Sequence, residues 1–162
     1  MMSDVATIKK DRLRYTKNKA AANLSYFAII FNVLYFVNIY RSDVNNYYYN
    51  MTIGFSVVCN LLFLLVAFLS SEGVKNYKRN YAWALVLLSV VQVARIFGIP
   101  RMAHSATTIV DGAERLVMEN KQYTWVLIFL VTSAVCCLLA GIVGLYKSYV
   151  LEKYEKDRLK KA

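Results

Sequence analysis

At 162 residues, with 58% hydrophobic residues, 14% aromatics and a positive mean hydropathy, the chain is too apolar for a soluble domain of its size. Its net charge of +10 could suggest nucleic acid, but the cations flank apolar segments and fall mostly on one side of them, so membrane topology explains the charge without nucleic acid. The composition points to an all-α integral membrane protein.

Four apolar segments, at 20–40, 49–70, 81–99 and 123–146, each approach the ~20 residues needed to cross ~30 Å of hydrocarbon. They predict a transmembrane domain over 20–146, flanked by a basic segment at 1–19 and a basic helical tail at 147–162. Lys9, Lys10, Arg12, Arg14, Lys17 and Lys19 precede the first span; Lys75, Lys78 and Arg79 separate the second and third; Lys147, Lys153, Lys156, Arg158, Lys160 and Lys161 follow the fourth. The opposite connections hold Arg41, Arg101, Arg115 and Lys121. By the positive-inside rule both termini are cytoplasmic, where anionic lipid headgroups attract the basic ends.

The leading stretch "TIKKDRLRYTKNK" reads as a frayed tail held near the headgroups, with a short interfacial helix as the alternative. Span one is about twice as long as the usual ~7–15 residue core of a signal peptide, and "NIYRSDVNN" offers no small-x-small cleavage site, so it stays attached. Tyr35, Tyr40, Tyr47, Tyr48 and Tyr49 form an interfacial aromatic belt. Asn50-Met51-Thr52 fits a glycosylation acceptor that abuts the membrane. Span two is followed by the short basic connection "SSEGVKNYKRN", turned at Gly73.

Span three contains "SVVQVARIFGIPR", with Gln92 and Arg95 on one helical face. Arg95 lies five residues, about 7.5 Å, outward of the span's centre near Val90, within snorkelling range. Ten Leu, Ile, Val and Phe residues in the span contribute roughly −3 to −6 kcal/mol to insertion, against about +2.5 to +3.5 for a central Arg. Insertion therefore does not require a partner for it. Asn32 and Asn38 fall at comparable depth in span one, so Asn32, Asn38, Gln92 and Arg95, with Asp43 as counter-charge, form a candidate polar cluster at the outer mouth of the bundle. Snorkelling or structural pairing leads for Arg95; an inter-subunit contact and an anionic ligand or lipid are the alternatives.

The external loop 100–122 places Asp111-Gly112 between two β-favouring runs, the pattern of a two-residue β-hairpin. In tight register Val110 faces Ala113, Ile109 faces Glu114 and Thr108 faces Arg115. The rival reading is a helix start, with Asp111 as cap and Glu114 returning to it. His104, the single histidine, reads as a solvated loop residue without the partners a metal site needs.

Span four carries Ser133, Cys137 and Gly141 at four-residue spacing, beside Cys136, Ala140 and Gly144. These small residues predict a close helix-packing face. Beyond it Tyr146, Val150 and Tyr154 continue the helical period, and Glu152 with Lys156 makes an i,i+4 pair. A faint echo links spans one and three at an offset of sixty: Asn32 with Gln92, Ile39 with Ile99, Arg41 with Arg101.

No acidic residue lies inside the four segments, which argues against proton-coupled exporters. Cys59, Cys136 and Cys137 form no Cys-x-x-Cys pair. No P-loop, dinucleotide fingerprint or metal-ligand spacing occurs, so neither catalytic residues nor a cofactor or metal are expected. The expected function is that of a non-catalytic accessory or assembly subunit of a membrane transport complex, meeting a protein partner or its own copies through the small-residue face or the hairpin. The alternatives are a self-assembling pore, holin or small-solute facilitator lined by Asn32, Gln92 and Arg95, and then a sensor using the hairpin or His104. The plasma (cell inner) membrane is the expected location; a eukaryotic internal membrane is the alternative, since "RLKKA" comes near a dilysine signal.

Overall fold

A computed structural model describes residues 8, 11–40, 51–110 and 112–160. In chain order it contains α1 (Lys19–Ile39), α2 (Met51–Lys75), α3 (Arg79–Ile96), α4 (Ile99–Ser105), β1 (Thr107–Val110), β2 (Ala113–Leu116) and α5 (Asn120–Leu159). Four helical segments are long and apolar enough to cross a membrane: α1, α2, α3 with its continuation α4, and α5. Both described ends of the chain lie at one end of the bundle, the tail end; α4 and the strands lie at the other, the hairpin end.

The caps explain where the helices stop. Asn18 starts α1 by accepting from the Ala21 amide at 3.4 Å, while its own backbone N–H donates to the Lys75 carbonyl at 2.9 Å. That pair ties the start of α1 to the end of α2. α2 runs past the apolar segment ending at 70, because its last turn carries Glu72 and Lys75, an ion pair at 2.9 Å that reaches water. It then closes with Tyr77 N–H on the Val74 carbonyl and Lys78 N–H on the Gly73 carbonyl, and Tyr77 sits at φ +58°. This is a Schellman cap with tyrosine where glycine is usual, at a cost of about 1–2 kcal/mol.

α3 ends at Ile96, and the chain turns through Phe97 and Gly98 before Pro100 helps to start α4. Proline has no N–H, so the first turn of a helix tolerates it. The loop expected over 100–122 thus begins as helix. The strands pair antiparallel with Val110 opposite Ala113, Ile109 opposite Glu114 and Thr108 opposite Arg115. Gly112 has φ +77°; Asp111 lies outside the described residues, as do Arg41, Asp43, Tyr47, Tyr48, Tyr49 and Asn50.

α5 is a continuous helix of 40 residues, about 60 Å long and roughly twice the hydrocarbon thickness. Its projecting part receives the N-terminal segment, where residues 11–15 are helical rather than frayed. Asp11 explains this order, accepting from the Tyr154 hydroxyl at 3.2 Å and from Arg158 at 3.4 Å.

Within the bundle α5 packs most extensively on α1 and α3, and α2 closes the ring with smaller interfaces to both. Gly141 permits the α3 contact: a Cβ there would lie 2.6 Å from Val86 Cγ2, 3.1 Å from the Ala82 carbonyl and 3.2 Å from the Val86 amide. Two apolar clusters result. The tail half is filled by Ala28, Phe63, Ala67, Leu85, Cys137 and Ala140, and the hairpin half by Tyr35, Ile39, Val117, Met118, Val126 and Leu130. Phe55, Leu61, Leu65, Leu87 and Ile142 point outward, as residues facing acyl chains do.

Candidate functional site

Between the two apolar clusters lies a polar layer with one member from each long helix: Asn32 on α1, Asn60 on α2, Gln92 on α3 and Ser133 on α5, all at most 1% exposed. Asn32 Nδ2 donates to Asn60 Oδ1 at 2.9 Å. Gln92 Nε2 donates to both Asn32 Oδ1 and Ser133 Oγ at 2.9 Å. The Ser133 hydroxyl passes its own hydrogen to the Ala28 carbonyl at 2.9 Å.

Arg95, half-buried one turn further along α3, brings its guanidinium into this layer. One terminal nitrogen donates to Asn32 Oδ1 and Gln92 Oε1 at 2.9 Å; the other donates to Asn60 Oδ1 at 3.1 Å. The Tyr35 ring lies 4.7 Å from the guanidinium carbon, a cation–π distance. Every one of these acceptors is a neutral amide oxygen, and among the described residues no carboxylate pairs with Arg95.

Asn32 Oδ1 and Asn60 Oδ1 each accept twice, and both Gln92 Nε2 hydrogens are used. Desolvating a cation costs several kcal/mol, and hydrogen bonds to charged groups contribute about 1.5–3 kcal/mol each, so three bonds suffice to hold the guanidinium there. The layer locks four helices in one register. It offers no nucleophile beside a base, and among the described residues no three His, Cys, Asp or Glu side chains gather closely enough to hold a metal ion.

Of the residues singled out in the sequence, Asn32, Gln92 and Arg95 meet in this layer. Asn38 does not share its hydrogen bonds; its backbone carbonyl instead accepts from Gln122 Nε2 at 2.7 Å, tying the end of α1 to the start of α5. Asp43 lies outside the described residues. The packing face of α5 is occupied inside the chain: Ser133 enters the polar layer, Cys137, Ala140, Gly141 and Gly144 are buried, and a Cβ on Gly144 would come within 3.1 Å of Ala82 and Val74 side chains.

His104 is not a solvated loop residue. It stands on α4, half-buried, with its ring stacked on Tyr123 at 4.2 Å and its Nδ1 enclosed without a hydrogen-bond partner. Sequence reasoning missed Asn60, although Asn60, Phe63, Ala67, Ser70 and Val74 recur every three or four residues, the spacing of an inward stripe. It also assigned Tyr35 to the interfacial belt, whereas the ring is 2% exposed and faces Arg95.

Fold and layer together define a helical membrane bundle of four spans pinned by an internal arginine and three amides. No protein-family model matches the chain, and no curated protein or solved structure matches it either.

Proposed function

We propose that this chain is a non-catalytic accessory or assembly subunit of a membrane complex that carries out transport. It would reside in the plasma (cell inner) membrane with its basic tail end cytoplasmic, following the positive-inside rule. The observation that carries this reading is the cross-linking of all four long helices by the polar layer. Its amide oxygens accept from one another's NH2 groups and from Arg95, and apolar clusters lie on either side of it. Apolar side chains above and below the layer argue against a continuous polar path through the described bundle.

Its outer surface is what it presents to other molecules. The small-residue face is consumed by α1 and α3, so a partner would meet the hairpin, where every β2 side chain is exposed and Ile109 and Leu116 are 73% and 44% exposed. The hairpin is anchored at its base by the Val117 amide on the Ala106 carbonyl at 3.1 Å and by buried Val117 and Met118. A two-stranded ribbon needs such support.

The test is native mass spectrometry of the protein extracted from its own membrane in lipid particles. The expected result is a stoichiometric protein partner that is lost when Ile109 and Leu116 are both replaced by serine, with the bundle's thermal unfolding unchanged. A homo-oligomer alone, with liposome flux that responds to Arg95→Ala, would replace this reading with the pore.

A further inference from the structure

At the tail end a cleft of about 440 Å³ opens between the N-terminal helical turn, the α2–α3 connection and the projecting part of α5. Arg14, Lys17, Lys75, Tyr77, Leu151 and Glu155 line it. Leu151 and Glu155 come one and two turns after Lys147, which donates to Asn18 Oδ1 at 3.1 Å at the base of the bundle. With Lys147 at the hydrocarbon edge, the cleft begins about 6 Å beyond it. That is the depth of the headgroup layer, about 5–7 Å thick on each side.

The cations in the cleft are not equally occupied. Lys75 is held by Glu72 at 2.9 Å. Arg14 has Glu155 at 3.7 Å and Asp11 at 3.9 Å, both longer than the ~2.7–2.9 Å of a charge-assisted hydrogen bond. Lys17 forms no ion pair among the described residues. The cleft therefore holds one guanidinium with loose partners and one ammonium whose charge reaches Glu72 without a close ion pair, and a phosphate oxygen pair suits a guanidinium fork.

Tyr77 is the second observation. It occupies the left-handed position of the α2 cap, φ +58°, where glycine would sit without strain, and it is among the residues that line the cleft. A tyrosine at headgroup depth places a ring against acyl or glycerol carbon and a hydroxyl in the polar layer.

We propose that this cleft binds the phosphate headgroup of an anionic phospholipid, with Arg14 and Lys17 on the phosphate and Tyr77 and Leu151 against the glycerol backbone. The site rests on the bundle's placement in a bilayer and not on the existence of a protein partner, so it is tested on the purified chain alone.

The experiment reconstitutes the full chain in nanodiscs of phosphatidylcholine with phosphatidic acid or phosphatidylglycerol as the minor lipid, and counts lipids retained on release by native mass spectrometry. One anionic lipid per chain is expected. Replacing Arg14 and Lys17 together by glutamine should lower its retention about tenfold, whereas replacing Lys153 and Lys160 by glutamine, the same loss of charge elsewhere on the α5 projection, should not. Tyr77→Gly should lower retention while thermal unfolding stays level or improves, because glycine relieves the cap; a merely structural tyrosine would move stability and leave retention alone. Equal loss in both charge pairs, or no loss in either, overturns the site. Displacement of the lipid by millimolar inorganic phosphate overturns the lipid assignment in favour of a soluble phosphate; no displacement supports it.

Discussion

The polar layer and the tail-end belt both hold arginine, and they solve its charge in opposite ways. At the tail end Arg14, Arg79, Lys156 and Arg158 face carboxylates at 3.7, 4.0, 3.0 and 3.4 Å, with side chains 35–69% exposed. In the layer Arg95 meets amide oxygens at 2.9–3.1 Å, on residues with at most 1% exposure, and the Tyr35 ring at 4.7 Å. A buried carboxylate would have to be desolvated as well, and that second penalty often exceeds the Coulombic gain. Amides supply shaped acceptors at a smaller cost, so the charge becomes a register pin instead of one half of an ion pair. The same residue type stands among exposed partners in the belt and among buried ones in the layer.

The largest effect should come from Asn32→Leu. It removes an acceptor from Arg95, an acceptor from Gln92 and the donor to Asn60, leaving a half-buried cation short of partners, for a loss of about 2–4 kcal/mol. SDS titration of the protein in mixed micelles, followed by circular dichroism, measures it. Gly141→Ala comes next. Val86 Cγ2 can rotate away from the new methyl, but the Ala82 carbonyl and Val86 amide at 3.1 and 3.2 Å are backbone, so α3 and α5 must separate at about 1–3 kcal/mol.

Arg95→Met sharpens the comparison most. It removes the cation together with its desolvation penalty and leaves chiefly Gln92 Oε1 without its donor, so the loss should be only about 0–1 kcal/mol. Removing the acceptor must therefore hurt more than removing the charge. The opposite order in the same titration would mean that Arg95 supplies more stability than it costs.

The four helices were legible because length and apolarity alone demand them: about 20 apolar residues have few other homes. The layer was only half legible. Depth along span three allowed Arg95 to snorkel, and depth says nothing about which face of the helix it occupies. Asn32, Gln92 and Arg95 could be grouped because they share a level, but Asn60 enters through the inward stripe of α2, a property of which helices neighbour it. Ser133 was legible as a small packing residue, and it is that; its hydroxyl also bridges Gln92 to Ala28, a role that no spacing announces. His104 was misjudged because Pro100 reads as a loop signal, whereas here it helps to start α4 and carries the histidine onto Tyr123.

The smallest effect belongs to Glu152→Gln, and it tests the wet half of the comparison. Glu152 accepts from Lys156 at 3.0 Å within the same helix and stands 4.0 Å from Arg79 across the bundle. Exposed pairs of this kind gain little, because water screens the attraction and holding long side chains costs entropy. The unfolding midpoint should not move, at low salt or high. If it falls, and falls less at high salt, the headgroup layer in which this part of α5 stands screens these pairs less than bulk water does, and each pair counts for more. In that case the contrast with Arg95 would be one of degree along the bundle axis, set by how far each arginine stands from water.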